Sequence, residues 1–363
     1  MYSESDLDAA VSAGALTAQQ AGSFRDFVAA SHHAPAVDEE HFRLLTGFND
    51  IFVSIAAIIL LVAVAWIGQS IAPRLDTDGP SLWAPLLVAA TAWGLAEYFT
   101  RQRRMALPSI LLLLAFVGGL FGTALVAMGL AIGLDNFGND EKLGALVLSA
   151  AAAIAAGGAW LHWRRFRVPI TIAAGVAALA GLVLGLIAST LGMTDSTYDV
   201  ILIATLVLGI GVFFLAMRWD SSDPRRETRR SDVAFWLHLL AAPMIVHPIF
   251  TLLGLTTGTA SPAEAAIVIA LYVVLGLAAL SIDRRALLVS ALAYVLYALN
   301  ELFREFGAVE LSVALTALII GSALLLLSAF WTNARRAVVR PLPESLQARL
   351  PVIDRSPVAV AAS

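Results

Sequence analysis

Between Ile51 and Ile71 the chain has no charged residue, and comparable apolar runs recur as far as residue 331, separated by short segments where arginines cluster. A bilayer core of about 30 Å takes roughly 20 helical residues per crossing. Runs of that length lie at 48–71, 82–100, 106–133, 143–162, 168–192, 199–218, 233–255, 263–282, 286–305 and 309–331. Backbone N–H and C=O groups find no water in the hydrocarbon, so such runs satisfy themselves as helices. The pattern predicts an all-α polytopic membrane protein of about ten transmembrane helices, with the lipid bilayer as its principal partner. Composition agrees: 59% of residues are apolar and 14% charged, against about 25% charged in a soluble domain.

Several chemistries are excluded at once. The chain has no cysteine, which removes disulfides, iron–sulfur clusters and thiolate metal sites. A net charge of −4 gives no basis for binding nucleic acid. There is no phosphate-binding glycine loop, no His-Glu-x-x-His and no nucleophile elbow, so no catalytic residue is assigned and no enzyme activity is expected. His32-His33 lacks further ligands, and His238 and His247 are nine residues apart, on opposite sides of a regular helix. Neither a metal nor a cofactor is expected.

Three regions follow from the polarity of the chain. Residues 1–46 are polar enough to stay out of the bilayer and read as a helical hairpin with a linker. Ser3-Glu4-Ser5-Asp6 opens the first helix and Gly14 closes it; Thr17-Ala18-Gln19-Gln20 forms a capping box for the second. Two such short helices need a surface to pack on, either this protein's own or that of a protein partner. Residues 47–334 hold the ten spans. Residues 335–363 carry several prolines and read as a disordered tail.

Arginine placement orients the spans. The segments after spans 2, 4, 6 and 8 hold Arg101, Arg103 and Arg104; Arg164, Arg165 and Arg167; Arg225, Arg226, Arg229 and Arg230; and Arg284 and Arg285. Arg335, Arg336 and Arg340 follow span 10, whereas the other side carries Arg74, Lys142 and Arg304 among several acids. Positive loops stay in the cytoplasm, which puts both termini there. The arginine pairs also suggest repeated two-helix hairpins, with Arg103-Arg104 matching Arg164-Arg165, Arg229-Arg230 and Arg284-Arg285. Gly118-x-x-x-Gly122 and Gly181-x-x-x-Gly185 predict close helix packing in spans 3 to 6.

Ionisable groups inside the bilayer are costly and therefore informative. They fall at two levels. The cytoplasmic level comprises Asn49, Asp50, Glu97 and His238. Two of these have local explanations, an i,i+4 ion pair of Glu97 with Arg101 and the positive end of a helix dipole for Asp50. His162, between Trp160 and Trp163, reads as part of an interfacial aromatic belt. The outer level is centred on span 9, where Tyr294, Tyr297, Asn300, Glu301 and Arg304 share the stretch YALNELFR or precede it by one turn. At about 100° per residue most of them lie in one sector. His247-Pro248 of span 7 falls at a similar depth, and Pro243 and Pro248 free backbone carbonyls in that helix. These residues outline a solute-binding pocket between spans 7 and 9, open to the outer side.

The pattern Leu7…Val11…Gly14-Ala15-Leu16-Thr17…Gln20, followed by Phe48-Asn49-Asp50, resembles a family of predicted bacterial multispan membrane proteins of unknown function. These join a small helical hairpin to a membrane domain. The resemblance implies an inner-membrane location and brings no activity or site. The expected function is therefore a transporter or solute-binding permease, with a membrane scaffold that recruits a protein through its hairpin as the alternative.

Overall fold

Two units make up the chain and are described in turn. The computed structural model describes residues 4–31, 48–133, 140–192, 194–224, 226, 228–254, 262–285, 288, 292, 295, 296, 299, 300, 303, 311–347, 350 and 351. In the smaller unit, α1 (Glu4–Ser12) and α2 (Ala18–Ser31) form the hairpin. Gly14 ends α1 with a positive φ of 72°. The capping box is present: the Gln20 backbone N–H donates to Thr17 Oγ1, and Thr17 N–H donates to Gln20 Oε1 at 2.9 Å.

The larger unit is a bundle of helices. In α3 (Phe48–Gln69) the buried positions are Asp50, Ser54, Ala57, Leu61 and Gly68, spaced along one helical face. Phe52, Ile55, Ile59 and Trp66 are exposed on the rest of its surface. Contiguous large apolar side chains exposed while small ones turn inward is the arrangement of a helix facing lipid. There follow α4 (Trp83–Ala96), α5 (Ala106–Ile132), α6 (Glu141–Phe166), α7 (Ile170–Leu191), α8 (Asp195–Ser221) and α9 (Arg229–Leu252). Then come α10 (Pro262–Ile282), α11 (Ser312–Ala329), α12 (Trp331–Val339) and α13 (Glu344–Gln347). Each helix from α3 to α9 packs on its neighbour in sequence.

Seven helices among the described residues are long and apolar enough to cross a membrane: α3, α5, α6, α7, Ser196–Ser221 of α8, α9 and α11. The chain is an all-α, multi-pass integral membrane protein. The second predicted span is α4 prolonged by a π-helical turn, Glu97–Gln102. The eighth contains a shorter apolar helix, Ala266–Ile282. Of the ninth, Leu288, Leu292, Val295, Leu296, Leu299, Asn300 and Phe303 are described, and all are helical.

Polar N-caps start three of the long helices. Asp140, Thr194 and Thr228 accept from backbone N–H groups at the starts of α6, α8 and α9. Among the described residues, the arginine-rich turns after spans 2, 4, 6 and 8 each contain one non-glycine residue with positive φ: Arg104, Arg167, Arg226 and Asp283. An L-residue in that region costs roughly 1–2 kcal/mol. Four hairpin turns thus place a charged side chain where glycine would be less strained. By backbone conformation Arg104 resembles Arg167, while the arginine-pair alignment sets it against Arg165.

Two expectations need adjusting. His162 does not face outward as part of an aromatic belt: it is fully buried, with Nδ1 3.2 Å from Thr171 Oγ1, enclosed by Trp93, Phe116 and Phe166. It shares an inward face with Phe166 one turn on, while Trp160 points outward. The boundary drawn at 334/335 by hydropathy falls inside α12, because Arg335 is pulled into the bundle by Asp283.

Close packing occurs beside, not at, one predicted glycine. A Cβ on Gly119 would lie 2.7 Å from the Pro85 carbonyl oxygen and 2.9 Å from the Ala89 nitrogen, both backbone atoms of α4, whereas Gly118 faces open space. Gly185 does pack, with Ala145 O of α6 at 3.1 Å from such a Cβ. Gly119→Ala is therefore expected to destabilise the detergent-solubilised protein by about 1–3 kcal/mol, the usual range for overpacking. Gly118→Ala should leave the melting temperature unchanged. Equal melting of both variants would contradict this packing.

Candidate functional site

The arginine-rich end of α8, α9 and α10 carries a set of charges with almost no solvent contact. Asp220 sits in the last turn of α8, where a carboxylate opposes the negative end of the helix dipole. It is 2% exposed, as is Arg284, which follows the αL residue Asp283 after α10. Arg284 reaches Asp220 through both carboxylate oxygens, Nη2 to Oδ1 at 2.5 Å and Nε to Oδ2 at 3.2 Å. The same Nη2 donates to the Ser231 carbonyl in the first turn of α9. A bidentate guanidinium–carboxylate pair of this kind binds three helix ends at one point.

His238, two turns into α9, completes the group. It is 0% exposed, and its Nε2 lies 3.0 Å from Asp220 Oδ2. The carboxylate can only accept, so Nε2 carries a hydrogen, and in the neutral imidazole Nδ1 keeps a lone pair. Among the described residues that buried Nδ1 has no hydrogen-bond partner. The Phe213 ring stands edge-on to the imidazole at 5.3 Å.

A second carboxylate mirrors the first. Asp283 Oδ2 accepts from Arg226 Nη1 at 2.8 Å, and Arg226 Nη2 also donates to the Ile282 and Asp283 carbonyls at the end of α10. Asp283 Oδ1 accepts from Trp331 Nε1 at 2.7 Å and pairs with Arg335 Nε at 3.8 Å. Arg335, 1% exposed, donates in addition to the Pro351 carbonyl. Each aspartate is therefore held by an arginine from the other's turn: Arg284 on Asp220, Arg226 on Asp283. Asp223 fastens the first of these turns by accepting from both Thr228 N–H and Thr228 Oγ1.

The residues singled out by sequence fall in different places. His238 belongs to this centre. Asp50 is buried at the start of α3, and Asn49 beside it is exposed. Glu97 does pair with Arg101, at 3.3 Å, but its main partner is Arg165 of the next hairpin, with bonds of 2.7 and 2.9 Å. At the outer level, His247 is exposed on α9 and Asn300 is half-buried. Their helices are neighbours, since Val246 and Phe250 pack on Val295 and Leu299. Tyr294, Tyr297, Glu301 and Arg304 lie outside the described residues. Among the described residues no group of three or more His, Cys, Asp or Glu side chains could hold a metal.

Asp220, Asp283, Arg284 and Arg226 were legible in sequence as loop and helix-end charges, with no mark of their pairing. The one available signal was an aspartate in the last turn of a long apolar helix, the wrong sign for that position. Comparison with family models, curated proteins and solved structures returns no match for this chain.

Removing one member of a buried pair strands the other, at a cost of roughly 3–5 kcal/mol, whereas replacing both by apolar groups is often neutral. Asp220→Leu and Arg284→Met are each expected to lower the melting temperature sharply, and the double variant to recover much of the loss. Additive losses in that cycle would mean the two side chains are not coupled.

Proposed function

We propose that this integral membrane protein is a transporter whose working charge is the Asp220–His238–Arg284 centre. The observation that carries the reading is the His238 Nδ1, without a hydrogen-bond partner among the described residues and buried within membrane-spanning helices beside a carboxylate and a guanidinium. Ionisable residues in such positions are functional by default, most often as proton or ion relays. A proton on Nδ1 would make the imidazole a cation that competes with Arg284 for Asp220. That competition loosens the clasp between α8, α9 and the turn after α10.

The solute would enter at the outer end, at the pocket predicted from His247, Tyr294, Tyr297, Asn300, Glu301 and Arg304. His238 and His247 are on one helix, about 13 Å apart at 1.5 Å per residue. Pro243 lies between them and removes one backbone hydrogen bond from α9, a place where the helix can bend. The arginine-rich end is read as cytoplasmic and the membrane as a bacterial inner membrane, by charge placement and by the resemblance of the N-terminal segment.

Proteoliposomes carrying an internal pH dye test the proposal. The wild type is expected to move protons when a solute gradient or membrane potential is imposed. His238→Gln, which retains a donor for Asp220 but no titratable nitrogen, should abolish the movement with little change in melting temperature. Undiminished flux in His238→Gln would sink the idea. Because the chain has no cysteine, single cysteines can map its orientation directly. In spheroplasts an impermeant maleimide should label Asp78→Cys and leave Ser222→Cys unlabelled; the reverse would invert the topology.

A second reading has its own observation. The Arg226–Asp283–Arg335 group is a clasp in which both Asp283 carboxylate oxygens are engaged, which suits a scaffold built to hold hairpins in register. On that reading no solute moves, and the cellular phenotype follows deletion of residues 1–46, the hairpin that would recruit a partner.

A further inference from the structure

The α6–α7 hairpin carries a feature that the charge centre does not use. An apolar groove of about 430 Å³ runs between the two helices on their outer surface. Its walls are Trp160, Trp163, Ile172 and Leu179, and Gly157 and Gly175 are in its lining. Trp160 is 58% and Leu179 51% exposed, so the groove opens where these spans face the bilayer. At its arginine-rich end two guanidinium groups lie over the two indoles, Arg164 on Trp160 at 4.9 Å and Arg167 on Trp163 at 5.4 Å.

These two arginines differ from Arg165 between them. Arg165 is neutralised by Glu97 in a two-bond pair. Arg164 and Arg167 are exposed and have no acidic partner among the described residues. Arg167 also adopts the left-handed conformation, φ 57°, and its N–H caps α6 by donating to Trp163 O. The turn is thus bent so that its side chain comes back over the indole at the mouth of the groove. Two unpaired cations at the interface end of an apolar groove that faces lipid are complementary to one kind of molecule, a phosphate that carries an acyl chain.

We propose that the α6–α7 groove binds an anionic phospholipid, with one acyl chain along the groove and the headgroup phosphate between Arg164 and Arg167. Basic pockets between transmembrane helices on the positive side of a protein recognise anionic headgroups in this way. The indoles contribute twice, holding the guanidinium groups in place and lining the top of the acyl path. The proposal is independent of the transport reading, because no residue of the Asp220 centre takes part.

Native mass spectrometry of the full-length protein, offered an equimolar mixture of phosphatidylglycerol and phosphatidylcholine with identical acyl chains, tests it. The phosphatidylglycerol adduct is expected to dominate, by about fivefold for each arginine. Arg164→Gln/Arg167→Gln should bring the two adducts toward equality, while Arg164→Lys/Arg167→Lys, which keeps the charge, should retain the preference. A Cβ at Gly157 meets open space, so Gly157→Leu extends its side chain into the groove and should reduce both adducts. Melting temperatures near wild type establish that each variant is folded. An unchanged preference in the glutamine variant overturns the site. So does an equal loss in Arg229→Gln/Arg230→Gln, which would make the preference a diffuse effect of net charge. Inorganic phosphate binding as well to Gly157→Leu as to wild type would reassign the arginines to a free anion. A dimer that dissociates in Gly157→Leu, with lipid preference untouched, would make the groove a self-association face.

Discussion

Two aspartates in the arginine-rich layer are each held by an arginine supplied from the other's turn, and the meeting of four helix ends depends on that exchange. Asp220 ends α8 and takes Arg284 from the turn after α10; Asp283 follows α10 and takes Arg226 from the turn after α8. Arg284 also reaches the start of α9, and Asp283 reaches Trp331 and Arg335 of α12. Against well-packed apolar side chains such pairs add little net stability. Their effect is on choice of arrangement. A slip of one helix end would leave a buried charge without its partner, at several kcal/mol, so few alternative registers are open.

The arginines therefore do more than carry charge at the helix ends. Positive charge retained on one side of the membrane sets topology whatever its neighbours are. In the folded protein the same residues are divided among distinct tasks. Arg165 joins the first two hairpins through Glu97; Arg226, Arg284 and Arg335 enter the buried pairs; Arg103, Arg164, Arg167 and Arg285 lie over aromatic rings. Positive φ at Arg104, Arg167, Arg226 and Asp283 costs conformational energy that glycine would avoid. At three of these four positions the charged side chain has a definite contact, and that contact offsets the strain.

Away from this layer the bundle is held by shape. Lipid gives no hydrophobic drive for one apolar helix to seek another, so association relies on close contact. Small residues provide it: Gly119 against the backbone of α4, Gly185 against α6, Gly209 against Met244 of α9. A glycine pattern in sequence announces such contacts without locating them, because neighbouring positions on a helix differ by about 100° in direction. Gly118 and Gly119 make the point, one open and the other tightly packed.

What the sequence by itself determined is the class of molecule. Runs of about 20 apolar residues in a solvent without hydrogen-bonding partners have to become helices, and the capping box at Thr17 and Gln20 is a purely local matter. His238 was visible too, since a histidine within an apolar span is conspicuous. Its meaning was not. The partners that define it are Asp220, 3.0 Å away across a turn, and Arg284, from a third helix end more than forty residues on. His162 was misplaced for the same reason, because only the packing of α4, α5 and α7 decides which side of α6 is inside. Helix formation follows from each residue's own bonding needs. Charge pairing and facing depend on which distant segments share the same few ångströms, and only the tertiary structure decides that.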